Sequence, residues 1–244
     1  MSDIWKMNEK INNFVYNNNE YSIITTTDPS TYGCIQEIVV MNQYKLNNFT
    51  NMTDVVFVDI GTNCGIATII LAKQNPNSIV ISFEPDKKVF EFLSINIKLN
   101  NITNVILNNK AVSKPGIKTI NLFANNVCSG ANTTCSDINT FTNAFGDKIN
   151  TYSVDCISLD DIIEKYNIKS IELLKIDCEG AEYEIIYGST YFKNNIVKNI
   201  VGEFHNMYYN TRLDSLKDNG KELINYCRKY TNIISLEVLN IPPP

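Results

Sequence analysis

The sequence contains a single histidine, His205, and a single tryptophan among its 244 residues. One histidine excludes the zinc sites that need two or more, including the HExxH helix of metalloproteases and the Cys2His2 finger. The seven cysteines are an odd number, and no two of them have the C-x-x-C spacing of redox or metal-binding pairs. We therefore expect reduced and mostly buried thiols, as is typical of a cytosolic protein.

Long apolar runs and an excess of basic residues are also missing. No run approaches the roughly 20 apolar residues that cross a bilayer, and the opening MSDIWKMNEKINNF has no apolar core of a secretory signal. We therefore expect a cytoplasmic protein without a membrane partner. Its 21 Lys and Arg face 26 Asp and Glu, which gives a net charge of -5. Since binding to a phosphate backbone needs clustered basic residues, this balance argues against a nucleic-acid partner.

Strand and helix patterns alternate from residue 55 onward. Short apolar, β-branched runs such as VVFVD (Val55–Asp59) and IELLKID (Ile171–Asp177) predict buried strands, and the patterns between such runs predict helices. This alternation is typical of an α/β fold with a mostly parallel sheet and helices on both faces. We expect one domain over residues 55–244, preceded by an N-terminal extension over residues 1–54.

The extension is polar and weakly patterned. It predicts a short helix around Asp3–Phe14 and an extended stretch around Ile35–Met41. Three interpretations stay open for the whole segment: a lid over a substrate pocket, a dimer contact, or a solvent-exposed extension.

The turn after the first buried strand contains Gly61 and Gly65 in the motif DIGTNCG. A backbone without Cβ atoms lets a ligand approach closely, and the following helix N-terminus presents free N–H groups. Glu84 ends the next strand, IVISFE, about 20 positions beyond the turn, where a carboxylate can bind both ribose hydroxyls. Together these features indicate a nucleoside-containing cofactor. The alternatives are a turn that merely ends a strand and a carboxylate that caps the next helix.

The segment LLKIDCEG ends the fourth predicted strand of the alternating region. Because successive strand side chains point to opposite faces, Lys175 and Asp177 share one face. Asp177 then falls at the carboxyl end of the sheet, where open α/β folds bind ligands. The side chains available as bases there are Asp177, Glu179, Glu203 and His205. The alternatives are a structural ion pair for Lys175 and Asp177, a helix-dipole contact for Glu179, and a structural role for the lone histidine.

Six motifs occur in order over about Gln36–Asn206: DIGTNCG, FEPDKKVFEFLSINIKLN, NKAVSKPG, SLDDII, LLKIDCEGAEYEIIYGS and IVGEFH. In order and spacing they resemble the FkbM family of methyltransferases, and DIGTNCG and KIDCEGAE are the most specific of them. The resemblance implies a Rossmann-like class I methyltransferase fold, S-adenosylmethionine as methyl donor and a hydroxyl oxygen as acceptor. Thr62, Cys64 and Cys178 depart from the residues usual in that family. The short segment after the fifth strand also departs from it and puts the seventh, antiparallel strand of the sheet in doubt.

The resemblance also implies roles for individual residues. Glu84 should hold the ribose, and Asp177 and Glu179 should face the methyl group. The residues expected along the methionine end of the cofactor are Asp59, Gly61, Asn63 and Gly65, and those expected near the adenine are Asn109, Ala111 and Val112. With Lys175 and His205 added, our catalytic candidates are Asp177, Glu179, His205 and Lys175.

These features lead us to expect an O-methyltransferase acting on a small or saccharide-like acceptor. The alternatives are an inactive S-adenosylmethionine-binding scaffold, an RNA methyltransferase and an NAD-dependent oxidoreductase, although the GxGxxG fingerprint of the last class is absent. Sequence reasoning assigns no residue to a metal. Asp177, Glu179 and Glu203 offer oxygen ligands suited to Mg²⁺, but carboxylates at a pocket edge commonly act without one.

Overall fold

The computed structural model describes residues 10–25, 29–125, 128–134, 149–207 and 220–241. Its strands, in chain order, are β1 (Lys10–Tyr16), β2 (Asn19–Thr25), β3 (Val56–Ile60), β4 (Ile79–Phe83), β5 (Val105–Asn108), β6 (Ala111–Ser113), β7 (Thr119–Asn125), β8 (Ile149–Ser158), β9 (Ile171–Ile176), β10 (Val197–Met207) and β11 (Asn232–Ile241). The helices are α1 (Pro29–Ile35), α2 (Ile66–Gln74), α3 (Lys87–Leu99), α4 (Leu159–Lys165), α5 (Glu182–Gly188) and α6 (Gly220–Cys227). None of the helices in these ranges is long and apolar enough to span a bilayer.

Six strands form the central sheet in the order β11-β10-β9-β3-β4-β5, and every neighbouring pair is parallel. The chain enters the sheet at β3, moves outward to β5 and returns to β9 on the other side of β3. The order of the strands therefore reverses between β3 and β9, the position at which open α/β sheets bind ligands. The predicted α/β fold is confirmed. No antiparallel strand occurs in this sheet among the described residues, and residues 208–219, which follow β10, lie outside them.

Alternate residues of the central strands pack into two separate cores. Phe57 and Leu173 belong to the same core as the apolar residues of α2 and α3, whereas Val58 and Leu174 belong to the core that contains those of α4, α5 and α6. This is the period-two alternation of a sheet buried on both faces. The helices on both faces, expected from the sequence, are therefore present.

A smaller sheet lies between β5 and α4 in the chain. Its order is β6-β8-β7, with β6 parallel and β7 antiparallel to β8. Strand β8 ends at Ser158, which caps α4: its Oγ accepts the Asp161 N–H at 3.0 Å, and the Asp161 carboxylate accepts the Ser158 N–H at 3.2 Å. Such a reciprocal cap fixes where the helix begins and how the chain leaves the strand.

The N-terminal extension differs from the prediction. Residues 10–14 belong to a β1–β2 hairpin instead of a helix, and the rest of the predicted helix lies outside the described residues. Asn17 and Asn18, both with positive φ, form the two-residue turn that such hairpins favour. The predicted extended stretch is also wrong, because α1 continues there into a π-helical turn over Gln36–Val40.

This hairpin packs on the α/β region instead of extending into solvent. Tyr21 and Ile23 are buried in the core that contains α2 and α3. The backbone of Ser22 bonds the side chain of Asn100, and that of Ile24 bonds Asn96, both on or next to α3. The described part of the extension is therefore not a solvent-exposed segment.

Two glycines, Gly61 after β3 and Gly202 in β10, let the backbone of these neighbouring strands lie close to the end of β9. A Cβ at Gly61 would lie 1.7 Å from the Asp177 carbonyl oxygen, and a Cβ at Gly202 would lie 1.7 Å from the Ile176 carbonyl oxygen. Both glycines also have positive φ, +74 and +148. No side chain fits at either position, so the spacing of β3, β9 and β10 depends on these glycines.

We expect Gly202→Ala to lower the free energy of unfolding by about 3 kcal/mol or more, because the added methyl group overlaps a backbone carbonyl. The matched control is Gly116→Ala, where φ is also positive (+88) but no atom lies within 4 Å of the added Cβ. That change should cost only about 1 kcal/mol of backbone strain. Urea unfolding of both variants measures the difference, and equal losses would contradict the steric explanation.

Candidate functional site

A cavity of about 540 Å³ opens at the carboxyl ends of β3, β4 and β9. It therefore lies beside the point where the strand order reverses. Its wall also includes β6, the end of β10, residues 129–134 and residues 33–44 of the N-terminal extension. This volume is within the range of small-molecule and cofactor sites.

Gly61 and Asn63 of the turn after β3 lie in the cavity wall. Gly65 does not, although the sequence suggested the same role for both glycines. A Cβ at Gly65 would lie 2.5 Å from Cδ1 of Leu93, inside the core between α2 and α3. Gly65 therefore makes room for helix packing, whereas the backbone of Gly61 lies in the cavity wall.

Glu84 is buried at the end of β4 and faces the cavity. Its Oε2 accepts the Asn63 N–H and its Oε1 accepts the Asp86 N–H, each at 2.9 Å. A carboxylate has about four lone-pair positions, so both oxygens keep the capacity to accept hydrogen bonds from ligand hydroxyls. The helix α3 is capped by the Asp86 carboxylate, so the alternative in which Glu84 caps that helix is wrong. Burial raises the pKa of Glu84 to about 8.

Two of the three residues expected near the adenine lie in the cavity wall. They are Ala111 and Val112, in β6. Asn109 lies outside the wall, and its amide donates to the carbonyl oxygens of Glu84 at 2.8 Å and Pro85 at 3.0 Å. Asn109 therefore stabilises the backbone around Glu84.

Lys175 and Asp59 form a buried ion pair next to the cavity. Lys175 Nζ lies 3.3 Å from Asp59 Oδ1 and donates to the Gly61 carbonyl oxygen at 2.5 Å. The other carboxylate oxygen, Asp59 Oδ2, accepts the Thr68 hydroxyl of α2 at 2.6 Å. Asp59 is fully buried and lies outside the cavity wall, so its side chain is directed at the protein and not at the cofactor position expected from the sequence.

The charge of Lys175 is fixed by its surroundings. Burial alone would lower its pKa, but the carboxylates of Asp59 and Asp177 outweigh burial and raise it above the ordinary value. A lysine that stays protonated cannot accept a proton from a substrate. The geometry thus favours the structural ion pair over a catalytic base for Lys175.

Asp177 lies in the cavity wall and is held there by neighbouring side chains. The Tyr44 hydroxyl donates to its Oδ2 at 2.9 Å, and Lys175 Nζ lies 3.8 Å from the same oxygen. Glu203 is held in a similar way, since Gln43 Nε2 donates to its Oε1 at 2.7 Å. Gln43 and Tyr44 belong to the N-terminal extension, which therefore completes the wall around Asp177 and Glu203.

His205 is buried among four carboxylates. Its Nδ1 lies 3.1 Å from Glu182 Oε1. Its Nε2 lies 3.6 Å from Glu179 Oε1, 3.6 Å from Glu203 Oε2 and 4.0 Å from Asp177 Oδ1. The structure thus brings together Asp177, Glu179 and His205, which the sequence had singled out as catalytic candidates.

Ionisation within this cluster is strongly perturbed. Burial raises the pKa of Asp177 and raises that of Glu179 to about 8. Burial also opposes ionisation of Glu203, but its contact with His205 outweighs burial and lowers the pKa. For His205, burial alone would lower the pKa, yet Glu182 and Glu179 raise it well above the ordinary value. Such perturbed groups beside a cavity are typical of functional sites.

Three residues that contact the site were not predicted from the sequence: Gln43, Tyr44 and Glu182. Glu182 begins helix α5, whereas Glu179 lies in the preceding turn with a φ of +52, so no helical spacing relates the two side chains. The first two carried no local signal, because Gln43 contacts a residue 160 positions away and Tyr44 one 133 positions away.

The sequence is similar to that of a known protein family. The sequence matches the family described as "Methyltransferase FkbM domain" over residues 59–233. The matched region contains Glu84 and the strands that carry Asp177 and His205. It does not contain Gln43 and Tyr44, which contact the site from the N-terminal extension.

Two curated relatives carry the word methyltransferase in their names. Methyltransferase 1 of Beauveria bassiana (strain ARSEF 2860) is 26% identical over 182 residues, which cover 69% of this chain and 71% of the relative. Methyltransferase sdnD of Sordaria araneosa is 25% identical over 190 residues, which cover 69% of this chain and 72% of the relative. Among solved structures, precorrin-6y C5,15-methyltransferase of Geobacter metallireducens aligns with a TM-score of 0.36 at 16% identity, covering 64% of this chain and 57% of that one.

We expect Lys175→Met to lower the free energy of unfolding by about 3–5 kcal/mol, because it leaves the Asp59 carboxylate buried without its cation. Adding Asp59→Asn to that variant should recover part of the loss, since the uncompensated charge is then removed. The matched control is Lys198→Met, which breaks the partly exposed pair of Lys198 and Glu172 and should cost less than about 1 kcal/mol. Urea unfolding measures all three, and a stable Lys175→Met protein would show that the pair is not structural.

Proposed function

The chain belongs to the FkbM methyltransferase family, and from that membership we propose that it transfers a methyl group from S-adenosylmethionine to a hydroxyl oxygen of a small or saccharide-like acceptor. One observation carries the proposal. A single cavity at the carboxyl edge of the parallel sheet has a buried carboxylate suited to a ribose, Glu84, and a separate cluster of proton acceptors around Asp177. Donor and acceptor would therefore meet in one cavity.

The donor side of the cavity is formed by the ends of β3 and β4 and by β6. Glu84 would accept hydrogen bonds from the ribose hydroxyls, and the turn with Gly61 and Asn63 would lie along the methionine end. Ala111 and Val112 offer a small apolar surface for the adenine ring. These positions follow the binding geometry of α/β folds in which a nucleoside lies across the strand ends.

The acceptor side is formed by the ends of β9 and β10. Methyl transfer displaces a neutral thioether, so the leaving group needs no acid; the protein has to align the acceptor hydroxyl and remove its proton. Asp177 is the candidate base, because about a quarter of its side chain is exposed in the cavity wall, whereas His205 is almost fully buried. Glu179, equally exposed, is the second candidate.

Binding of S-adenosylhomocysteine tests the donor side. We expect it to raise the melting temperature, and we expect Glu84→Gln to weaken binding at pH 9 by about 1–3 kcal/mol, the range for hydrogen bonds to a charged group. Because hydroxyls bind the ionised carboxylate better and burial raises the Glu84 pKa to about 8, affinity should increase as the pH rises from 7 to 9. The ionised fraction increases about tenfold over that range, so the dissociation constant should fall by a similar factor.

Calorimetry at several pH values provides the measurement. The Glu84→Gln variant should lose the pH dependence attributed to this carboxyl, and Glu91→Gln on the exposed side of α3 should keep it. An unchanged dissociation constant in Glu84→Gln would mean that the ribose is held elsewhere. Absence of any binding to the wild-type protein would contradict the proposed donor.

Methyl transfer by Asp177→Asn tests the acceptor side. This change keeps the size of the side chain but removes its basicity, so turnover should fall by about 100-fold while the affinity for S-adenosylhomocysteine changes little. The assay measures transfer at saturating donor, with acceptors drawn from hydroxylated small molecules and saccharides and with capped RNA as a comparison. Asp155→Asn, an exposed carboxylate paired with Lys110, is the matched control.

The two readouts separate the possible failures. Full activity in Asp177→Asn would remove this residue from the mechanism, and a loss of cofactor binding would assign it to the donor side. Cofactor binding by the wild-type protein without transfer to any acceptor would favour the inactive scaffold.

A further inference from the structure

The polar atoms around His205 converge on one point. Nε2 of the imidazole faces Glu179 Oε1, Glu203 Oε2 and Asp177 Oδ1 at 3.6, 3.6 and 4.0 Å. Ligand atoms of Asp177, Glu203 and His205 all lie within 4.8 Å of one another. Atoms that share one metal ion at about 2.1 Å are separated by roughly 3–4 Å, so this spacing suits a common ion after small shifts.

The other atoms of the same side chains are already bonded elsewhere. Tyr44 donates to Asp177 Oδ2, leaving Oδ1 towards the histidine. Gln43 donates to Glu203 Oε1, leaving Oε2 towards the histidine. Each side chain is thus anchored through one atom and presents the other to the centre of the cluster, as outer hydrogen bonds do in metal sites.

Glu182 contacts the other nitrogen of the His205 ring. It is fully buried, and its Oε1 accepts the Cys178 N–H at 2.9 Å and contacts His205 Nδ1 at 3.1 Å. An acceptor held in this way keeps one proton on Nδ1, so a metal ion that displaces the other proton of His205 would meet the lone pair of Nε2. The buried imidazole is therefore oriented with its metal-binding nitrogen towards the three carboxylate oxygens.

The negative charges around His205 also favour a bound cation. Lys175 lies 3.8 Å from Asp177 but also pairs with Asp59 and bonds Gly61. Among the described residues, the other three carboxylates around His205 form no ion pair with a lysine or arginine. Buried carboxylates that lie together repel one another unless a cation lies between them. A divalent ion would supply that charge where the ligand atoms meet.

We propose that Asp177, Glu203 and His205, with Glu179 as a further ligand, bind one divalent cation of the Mg²⁺ and Mn²⁺ class. Three carboxylate oxygens and one imidazole favour these ions over zinc, which prefers thiolates and several imidazoles. The site does not depend on the proposed function. If that function holds, the acceptor hydroxyl is a natural additional ligand, and the ion would promote its ionisation.

Mn²⁺ is the probe, because it binds thiolates weakly and its free form gives a measurable paramagnetic resonance signal. The full chain is treated with a chelator, freed of it and titrated with MnCl2. We expect loss of the free-ion signal for one Mn²⁺ per chain, a rise in melting temperature, and displacement of the bound Mn²⁺ by excess MgCl2. No retention of Mn²⁺ at millimolar concentration would overturn the proposal. The carboxylates would then only stabilise a protonated His205.

Variants test which residues hold the ion. Glu203→Gln should weaken Mn²⁺ binding by at least about tenfold, and so should Glu182→Gln, which only orients His205. The matched control is Glu172→Gln, an identical change at the amino end of β9 beside Lys198, which should leave the affinity unchanged. Equal affinities in all three variants would assign the bound Mn²⁺ to surface sites and overturn the proposal.

Calorimetry with S-adenosylhomocysteine on the same samples separates the two proposals. Binding of the nucleoside by a protein that retains no Mn²⁺ would overturn the metal site alone. Mn²⁺ binding without nucleoside binding would support the metal site and contradict the proposed donor. Circular dichroism establishes that each variant is folded, and the wild-type stoichiometry decides the proposal if a variant is not.

Discussion

The site depends on the contacts of one buried charge, the ammonium group of Lys175. It lies between β3 and β9, the strands at which the sheet order reverses, where it bonds the Gly61 carbonyl oxygen and pairs with Asp59. Asp59 in turn bonds Thr68, so the same pair connects the sheet to α2. A buried charge is tolerated only when it is paired, so neither partner can be lost alone. Because Lys175 also contacts Asp177, the stability of the strand ends and the position of the candidate base are set together.

Local patterns were sufficient to predict the central sheet, Glu84 and Asp177. Each depends on a few adjacent residues: a β-branched run predicts a strand, and a polar residue at the end of such a run predicts a position at the edge of the sheet. The N-terminal extension could not be predicted in this way. Its hairpin is stabilised by side chains of α3 far along the chain, and the contact between Tyr44 and Asp177 spans 133 residues. No window of sequence contains both partners of such contacts.

Gly61 and Gly65 show why one motif can conceal two physical requirements. Both have positive φ and lie in one turn, so a sequence pattern gives them the same meaning. At Gly61 a Cβ would overlap the Asp177 backbone, whereas at Gly65 it would meet the Leu93 side chain of α3. A substitution at Gly61 therefore disturbs the sheet before it affects a ligand, and loss of cofactor binding in such a variant would not by itself identify a cofactor contact. Glu84, which faces the cavity through a side chain, is the cleaner probe.

The two sides of the cavity differ in how many carboxyl groups line them. Glu84 lines the donor side, and burial raises its pKa to about 8, as it does for Glu179 on the opposite side. The opposite side concentrates the carboxylates of Asp177, Glu179 and Glu203. The proposed donor carries its positive charge on the sulfonium and not on the nucleoside, so this field would draw the reacting end towards β9 and β10. Once the methyl group is transferred, the thioether is neutral and that attraction is lost, so the same charges that orient the donor would favour release of the product.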